Sequence, residues 1–172
     1  ALLHRHDRRE RPDAGLSNPA NLGFVPTHFA LSTSEDRGHT WSPPERIAPP
    51  MSGSAFELCS PITVLSDGRW LLPTSTWRGW NGDLPHGHRM VAWVSENAGR
   101  SWSAWTTVMH HPDDRIHYWE SKIVERSDGR LVAIAWAYDH VDSADLPNQF
   151  VVSRDGGKNW SAPASTGLSG QT

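Results

Sequence analysis

Acids, rings and amides are interleaved in three stretches of this chain: "WRGWNGDLPHGH" at 77–88, "HYWES" at 117–121 and "YDHVDSADLPNQ" at 138–149. A carboxyl placed beside a bound polar molecule can act as a general acid or base, and aromatic and amide side chains can hold that molecule in place. Glu120 is the first candidate for such work and Asp83 the second. Glu57 is a substitute for either, and Asp7 and Asp139 are weaker candidates of the same kind. Glu57, Trp77, Arg78, Trp80, Arg115, Tyr118, Trp119 and Asp139 form the candidate binding set. Each has a plainer reading. Glu120 fits equally an ion pair with Arg78 or Arg115, and Asp83 and Asp145, both in "DLP", fit loop caps held by local backbone bonds.

Histidines are numerous in the same stretches, as in "HGH" at 86–88 and "HHPDD" at 110–114, with His117 and His140 besides. Imidazole with carboxylate is a usable metal set, but none of these residues shows a recognised ligand spacing on one rigid element. They read as exposed loop residues or hydrogen-bonders, and neither a metal nor a cofactor is expected. Cys59 reads as a small inner-strand hydrophobe rather than a nucleophile. As the single cysteine it can form no internal disulfide, which fits either redox compartment.

The chain has 172 residues, enough for one domain or part of one. A net charge of -3 carries no single-sign excess, and the basic start "HRHDRRER" contains its own acids, so neither nucleic acid nor an anionic membrane is the expected partner. No apolar run approaches the roughly 20 residues of a membrane helix. The first ten residues, "ALLHRHDRRE", hold no stretch of signal-peptide type.

The elements that must position the candidates are strands. Ten tryptophans stand beside 14 glycines and 13 prolines. Runs such as "THFALSTS", "RWLLPTSTW", "RMVAWVS" and "RLVAIAWAY" end at Asp-Gly or Asn-Ala-Gly turns, and no segment keeps a helical period. The fold class is all-β. The sequence also repeats: "SEDRGHTW" at 34–41 returns as "SENAGRSW" at 95–102 and "SRDGGKNW" at 153–160. "VLSDGRWLL" at 64–72 returns 61 residues later as "ERSDGRLVA" at 125–133. Each period parses as four strands, a to d, which is the blade of a β-propeller. The second copy gives a 58–65, b 69–77, c 88–95 and d 101–109, and the third gives 119–126, 130–138, 148–153 and 159–163. On this parse residues 1–48 are a blade lacking its first strand, 56–110 and 117–164 are complete blades, and 165–172 begin the next, with Gln171 near the phase of Cys59 and Glu120. Such a partial propeller calls for further blades or for self-association to close the ring.

The repeated phrase S-x-D-x-G-x-T-W is the Asp box, and Asp boxes at blade intervals resemble those of the sialidase (neuraminidase) superfamily of six-bladed propellers. In that resemblance the boxes (Ser34, Asp36, Gly38 and Trp41; Ser95, Asn97, Gly99 and Trp102; Ser153, Asp155, Gly157 and Trp160) are structural turns between strands c and d. Their tryptophans pack between sheets. Chemistry then belongs on the opposite face, at the starts of the strands a and the b–c loops, where Glu120, Asp83 and the binding set fall. The resemblance implies an exo-glycosidase that hydrolyses a terminal sugar of a glycan, by two carboxyls or, as in sialidases, by a tyrosine nucleophile assisted by a glutamate with a separate acid. A non-catalytic Asp-box propeller that binds glycan or protein is the alternative. Sialidases grip a carboxylate with three arginines, the first in an F-R-I-P motif, and at that phase this chain has Cys59 and Glu120. Sialic acid itself is therefore not implied.

Overall fold

Runs rich in β-branched and aromatic residues, stopped by glycine turns, fold here into twelve strands in three antiparallel sheets; the computed structural model describes residues 1–53 and 55–170. The first sheet has the order β1 (Leu2–His6), β2 (Thr27–Leu31), β3 (Glu45–Arg46). In the second, β4 (Ala55–Leu58) and β5 (Thr63–Val64) both pair with β6 (Trp70–Trp77), which is followed by β7 (Arg89–Ser95) and β8 (Ala104–His110). The third runs β9 (Ile116–Glu125), β10 (Leu131–Asp139), β11 (Ala144–Ser153), β12 (Ala164–Ser165). Each is an up-and-down meander, the build of a propeller blade.

Three details differ from the sequence parse. Strand a of the second blade is not continuous over 58–65. Its halves β4 and β5 are separated by Cys59, Ser60, Pro61 and Ile62, which face only Leu72 and Pro73 of β6. The last strand of the third blade lies at Ala164–Ser165, not at 159–163, because the Asp-box turn extends through Trp160. The stretch 138–149 is mostly strand rather than loop: Tyr138 pairs with Asp145 and Ala137 with Leu146, so the turn is only 140–143. Pro147 is accommodated because the register shifts opposite Trp136, and a bulge needs no ladder N–H from it. Gln171 lies outside the described residues.

The sheets stack face on face. Phe29 and Ile47 of the first meet Phe56, Leu72, Val91, Trp93 and Trp102 of the second. Leu71, Met90, Ala92 and Val108 of the second meet Tyr118, Ile123, Leu131, Ala133, Ala135, Ala137 and Val151 of the third. Strand β10 alternates buried and half-buried along its length, as a strand with one covered face must. Its covered face is mostly alanine, which lets the sheets approach closely. Side chains also cross the gap: Thr63 Oγ1 donates to the Ile123 carbonyl at 2.8 Å and Ser75 Oγ to the Tyr118 carbonyl at 2.5 Å.

The Asp boxes turn the chain between strands c and d. In the third box Ser153 Oγ accepts from Gly157 N–H at 2.9 Å and donates to Asp155, whose carboxylate accepts from the Asn159 backbone at 2.9 Å and side chain at 2.7 Å. Asn97 makes the equivalent backbone bond to Ser101 at 2.9 Å. Gly99 has φ +80°, and a Cβ there would lie 2.8 Å from the Trp70 ring. Trp102 and Trp160 pack toward the preceding sheet. Trp41 does not: it is 52% exposed, because no described residue forms a sheet preceding the first, and only its Nε1–H is engaged, by the Gly38 carbonyl at 3.1 Å.

Candidate functional site

The end opposite the boxes gathers the starts of the inner strands and the b–c connections. The inner strands of the second and third blades are irregular at the same height. In β9, Glu120 and Ser121 together face the single residue Ala135 of β10, a β-bulge between the Trp119–Trp136 and Lys122–Ile134 pairs. Glu120 takes a left-handed φ of 47°, which costs a residue with a side chain about 1–3 kcal/mol and re-aims it relative to the strand. Glu57, paired with Ser75 in β4, stands just before the corresponding break.

Glu57 responds to the second carboxyl. Burial pushes Glu57 up to about 7, and the negative charge of Glu120 adds to the rise. Glu57 Oε2 is buried and has no hydrogen-bond partner among the described residues. Below about pH 7 Glu57 is therefore a carboxylic acid within electrostatic reach of a second carboxyl, an arrangement from which a proton donor and an anionic partner can be made. Cys59 is nearby, its Sγ 3.4 Å from Ser75 Oγ; burial first, and Glu57 second, push the thiol up, so it stays protonated.

The other sequence candidates divide. Asp83 is exposed in the 78–88 connection, where its carbonyl accepts from Gly79 N–H at 3.0 Å. Its repeat counterpart Asp145 is no loop cap, since it lies in β11 and accepts from Trp136 Nε1 at 2.9 Å. Arg115 pairs with Asp139 and with Asp142. Asp139 in turn caps the 140–143 turn through the N–H groups of Val141 and Asp142, and Arg115 holds its carboxyl below the ordinary range. Asp7 is engaged by Arg9 in the same way. Tyr118 is 2% exposed, with its hydroxyl on Gln149 at 3.3 Å and burial holding it protonated up to about 12.

Trp77 is a packing residue: it is 7% exposed, donates to the Leu22 carbonyl at 2.8 Å and contacts Phe24, His88, His117 and Trp119. The connection between β1 and β2 clips onto its loop. Phe24 N–H donates to the Arg78 carbonyl at 2.9 Å, Arg78 Nη1 donates to the Asn21 carbonyl at 3.3 Å, and Asn18 reaches the Trp80 carbonyl at 2.8 Å. Trp80 lies under the Arg11 guanidinium at 4.9 Å. Trp119 is half-buried and joins two residues not singled out from sequence, Trp136 at 4.8 Å and Tyr138 stacked at 5.7 Å, to form an aromatic wall.

Histidine brings the largest correction. His88 and His117 are not exposed loop residues; they are 4% and 3% exposed. With His140 they form a cluster whose ligand atoms all lie within 4.8 Å of one another. The His88 and His117 rings lie 3.6 Å apart between centroids at a tilt of 34°, and apart from His88 Nδ1, which faces an Asp114 carboxylate oxygen at 3.2 Å, their ring nitrogens have no hydrogen-bond partner among the described residues. An unsatisfied buried polar group costs roughly 1–3 kcal/mol. Burial, and then the neighbouring imidazoles, take His117 down to about 2, so it is neutral. The available signal was blade phase: His88 precedes a strand c, His140 follows a strand b, and His117 lies at the head of the strand a between them.

Antiparallel meanders stacked face on face, with Asp boxes at the turns between strands c and d, are the build of an Asp-box propeller. Residues 17–171 match the model of the BNR repeat-like domain, and the chain belongs to that family. No curated protein matches it by sequence. Among solved structures it is similar to a protein of unknown function from Dyadobacter fermentans (TM-score 0.63, 17% identity, 87% of this chain and 40% of that one). It is also similar to a variant of the NanB sialidase from Streptococcus pneumoniae (0.61, 19%, 84% and 20%). The intramolecular trans-sialidase from Ruminococcus gnavus is comparable (0.61, 22%, 85% and 28%). The fold is that of the sialidase propellers, and the chain spans 20–40% of the length of these three.

Proposed function

We propose that this domain contributes the acid pair of a sialidase-like exo-glycosidase, with Glu57 as proton donor and Glu120 as anionic partner. The observation that carries this reading is that the two carboxyls stand where neighbouring inner strands break their ladders, with Glu57 pushed up to about 7 by burial and by the charge of Glu120. In that assignment Glu57 protonates the leaving glycosidic oxygen while the Glu120 carboxylate stabilises positive charge at the anomeric carbon. Glu120 acts either as nucleophile or as base for water, and the anomeric configuration of the product distinguishes the two. The aromatic wall of Trp119, Trp136 and Tyr138 offers rings against which a sugar face can pack. At the phase where sialidases carry the first arginine stand Cys59 and Glu120, so the substrate is a terminal sugar of a glycan that this phase does not restrict to sialic acid.

The test is a panel of aryl glycosides and sialosides offered to the full chain. The expected result is release of aglycone from at least one member, with turnover falling about 100-fold or more in Glu57→Gln and in Glu120→Gln while both variants stay folded. Saturable glycan binding with no product from any member would replace hydrolysis by a binding function. Full turnover in Glu120→Gln would remove the assignment of the pair.

A further inference from the structure

The histidine cluster borders the aromatic wall through His117, and the proposed glycosidase chemistry makes no use of its ring nitrogens. We propose that His88, His117 and His140 bind a divalent cation of the zinc class at the junction of the second and third blades, with Asp114 as the outer carboxylate.

The three imidazoles come from three segments that the fold brings together. His88 precedes β7, His117 lies in β9 opposite Tyr138 of β10, and His140 follows β10 with its N–H on the Arg115 carbonyl at 3.1 Å. Two of the three are almost wholly withdrawn from water; His88 Nδ1 faces an Asp114 carboxylate oxygen at 3.2 Å, and the other three of their ring nitrogens lack a hydrogen-bond partner among the described residues. Each imidazole has one nitrogen lone pair to offer, and a cation bound between the three rings would engage it. Tetrahedral zinc with Zn–N near 2.0–2.1 Å needs its nitrogens about 3.3–3.4 Å apart. The cluster, at most 4.8 Å across its ligand atoms, reaches that spacing by small ring rotations.

The surroundings supply the outer contacts that ligating histidines use. His140 Nε2 lies 2.9 Å from the Asp114 carbonyl oxygen, which leaves its other nitrogen for an ion. The Asp114 carboxylate accepts from the His88 backbone N–H at 2.5 Å and places its second oxygen 3.2 Å from His88 Nδ1. Asp114 holds this position from a left-handed φ of 54°. Gly87, next to His88, leaves room for it: a Cβ there would lie 2.4 Å from Asp114 Oδ1. Arg78 is the opposing charge near the rings, and the Asp114 carboxylate offsets it. Imidazole ligands select zinc-class ions over calcium or magnesium, which take oxygen ligands, and three of them leave a fourth coordination position for water or a ligand oxygen.

The experiment uses the full chain without a histidine tag, stripped with chelator and titrated with Co²⁺ and then Zn²⁺. The expected result is about one Co²⁺ per chain with the visible spectrum of a tetrahedral nitrogen-ligated site, displaced by Zn²⁺, and a thermal midpoint raised by Zn²⁺. His140→Ala, at the half-buried member, lowers affinity at least tenfold. Asp114→Asn, which keeps the bond to the His88 N–H, lowers it about 10–100-fold. His110→Ala, outside the cluster, changes nothing. A folded wild-type chain that takes up no Co²⁺ would overturn the proposal, and so would an affinity unaltered by His140→Ala in a variant that circular dichroism shows to be folded. None of these readouts uses glycosidase activity, so a failure here leaves the carboxyl pair untouched.

Discussion

Glu57 and Glu120 occupy the inner strands of two different blades, yet the charge of the second raises the proton affinity of the first. The coupling is possible because each inner strand breaks its ladder at this height: β4 stops at Leu58, and β9 bulges at Glu120 and Ser121.

Glu57 titrates near neutrality. A carboxyl NMR titration is expected to find its midpoint near pH 7, falling toward 4.5 in Glu120→Gln but not reaching it, since burial is the larger cause. The folded-state affinity for the proton is raised, so the stability it contributes is full below about pH 4.5 and is lost as pH rises through about 7. The loss is on the order of 3 kcal/mol. Urea midpoints of wild type and Glu57→Gln should therefore diverge between pH 5 and 8, with wild type falling; parallel profiles would contradict the burial of this acid.

Glu120 holds a backbone conformation that suits glycine better. Glu120→Gly is expected to be at least as stable as wild type, by up to about 1 kcal/mol in urea unfolding, while Glu120→Gln gains nothing from the backbone. Destabilisation by glycine would show that side-chain contacts outweigh the left-handed φ.

Trp77 and Trp80 lie three residues apart in one candidate binding stretch but have unlike roles. Trp77→Ala is expected to cost about 3–5 kcal/mol, because it empties a site bounded by Phe24, His117 and Trp119 and strands the Leu22 carbonyl. Trp80→Ala should cost under about 1 kcal/mol. Chemical denaturation of both variants decides it.

The Asp boxes should differ in weight. Ser153 is 1% exposed and its hydroxyl joins Gly157 N–H to Asp155, so Ser153→Ala is expected to cost about 1–2 kcal/mol. Ser34 makes the same bonds in a more exposed turn, and Ser34→Ala should cost less. Equal losses would mean that burial does not set the strength of the motif.

Gly87→Ala should destabilise by more than about 1 kcal/mol, through both its φ of +66° and the collision of a Cβ with Asp114. Relief of that loss by Asp114→Ala in the double mutant would identify the collision as the cause.

Blade number, blade phase and the structural end of each blade were legible in the chain, since the boxes recur at fixed spacing and their hydrogen bonds are local, within four residues. Strand alternation in β10 and the turn residues were legible for the same reason. What did not show is where the ladder yields. The phrase "DLP" lies in an exposed connection at 83–85 and within a bulged strand at 145–147. Its three residues are identical, and the difference comes from what each connection packs against.

The sequence by itself determined the repeat, the all-β meander and which end of each blade carries acids and aromatics, because these follow from short-range periodicity and turn chemistry. Only the tertiary structure decided which side chains meet. Trp77 and Tyr118 are withdrawn into packing, Arg115 is taken by Asp139, Glu57 is set beside Glu120, and three histidines from separate segments converge. These outcomes depend on the stacking of one sheet on the next and on bulges that turn a side chain by one position. Those contacts join residues tens of positions apart, and no local pattern records them.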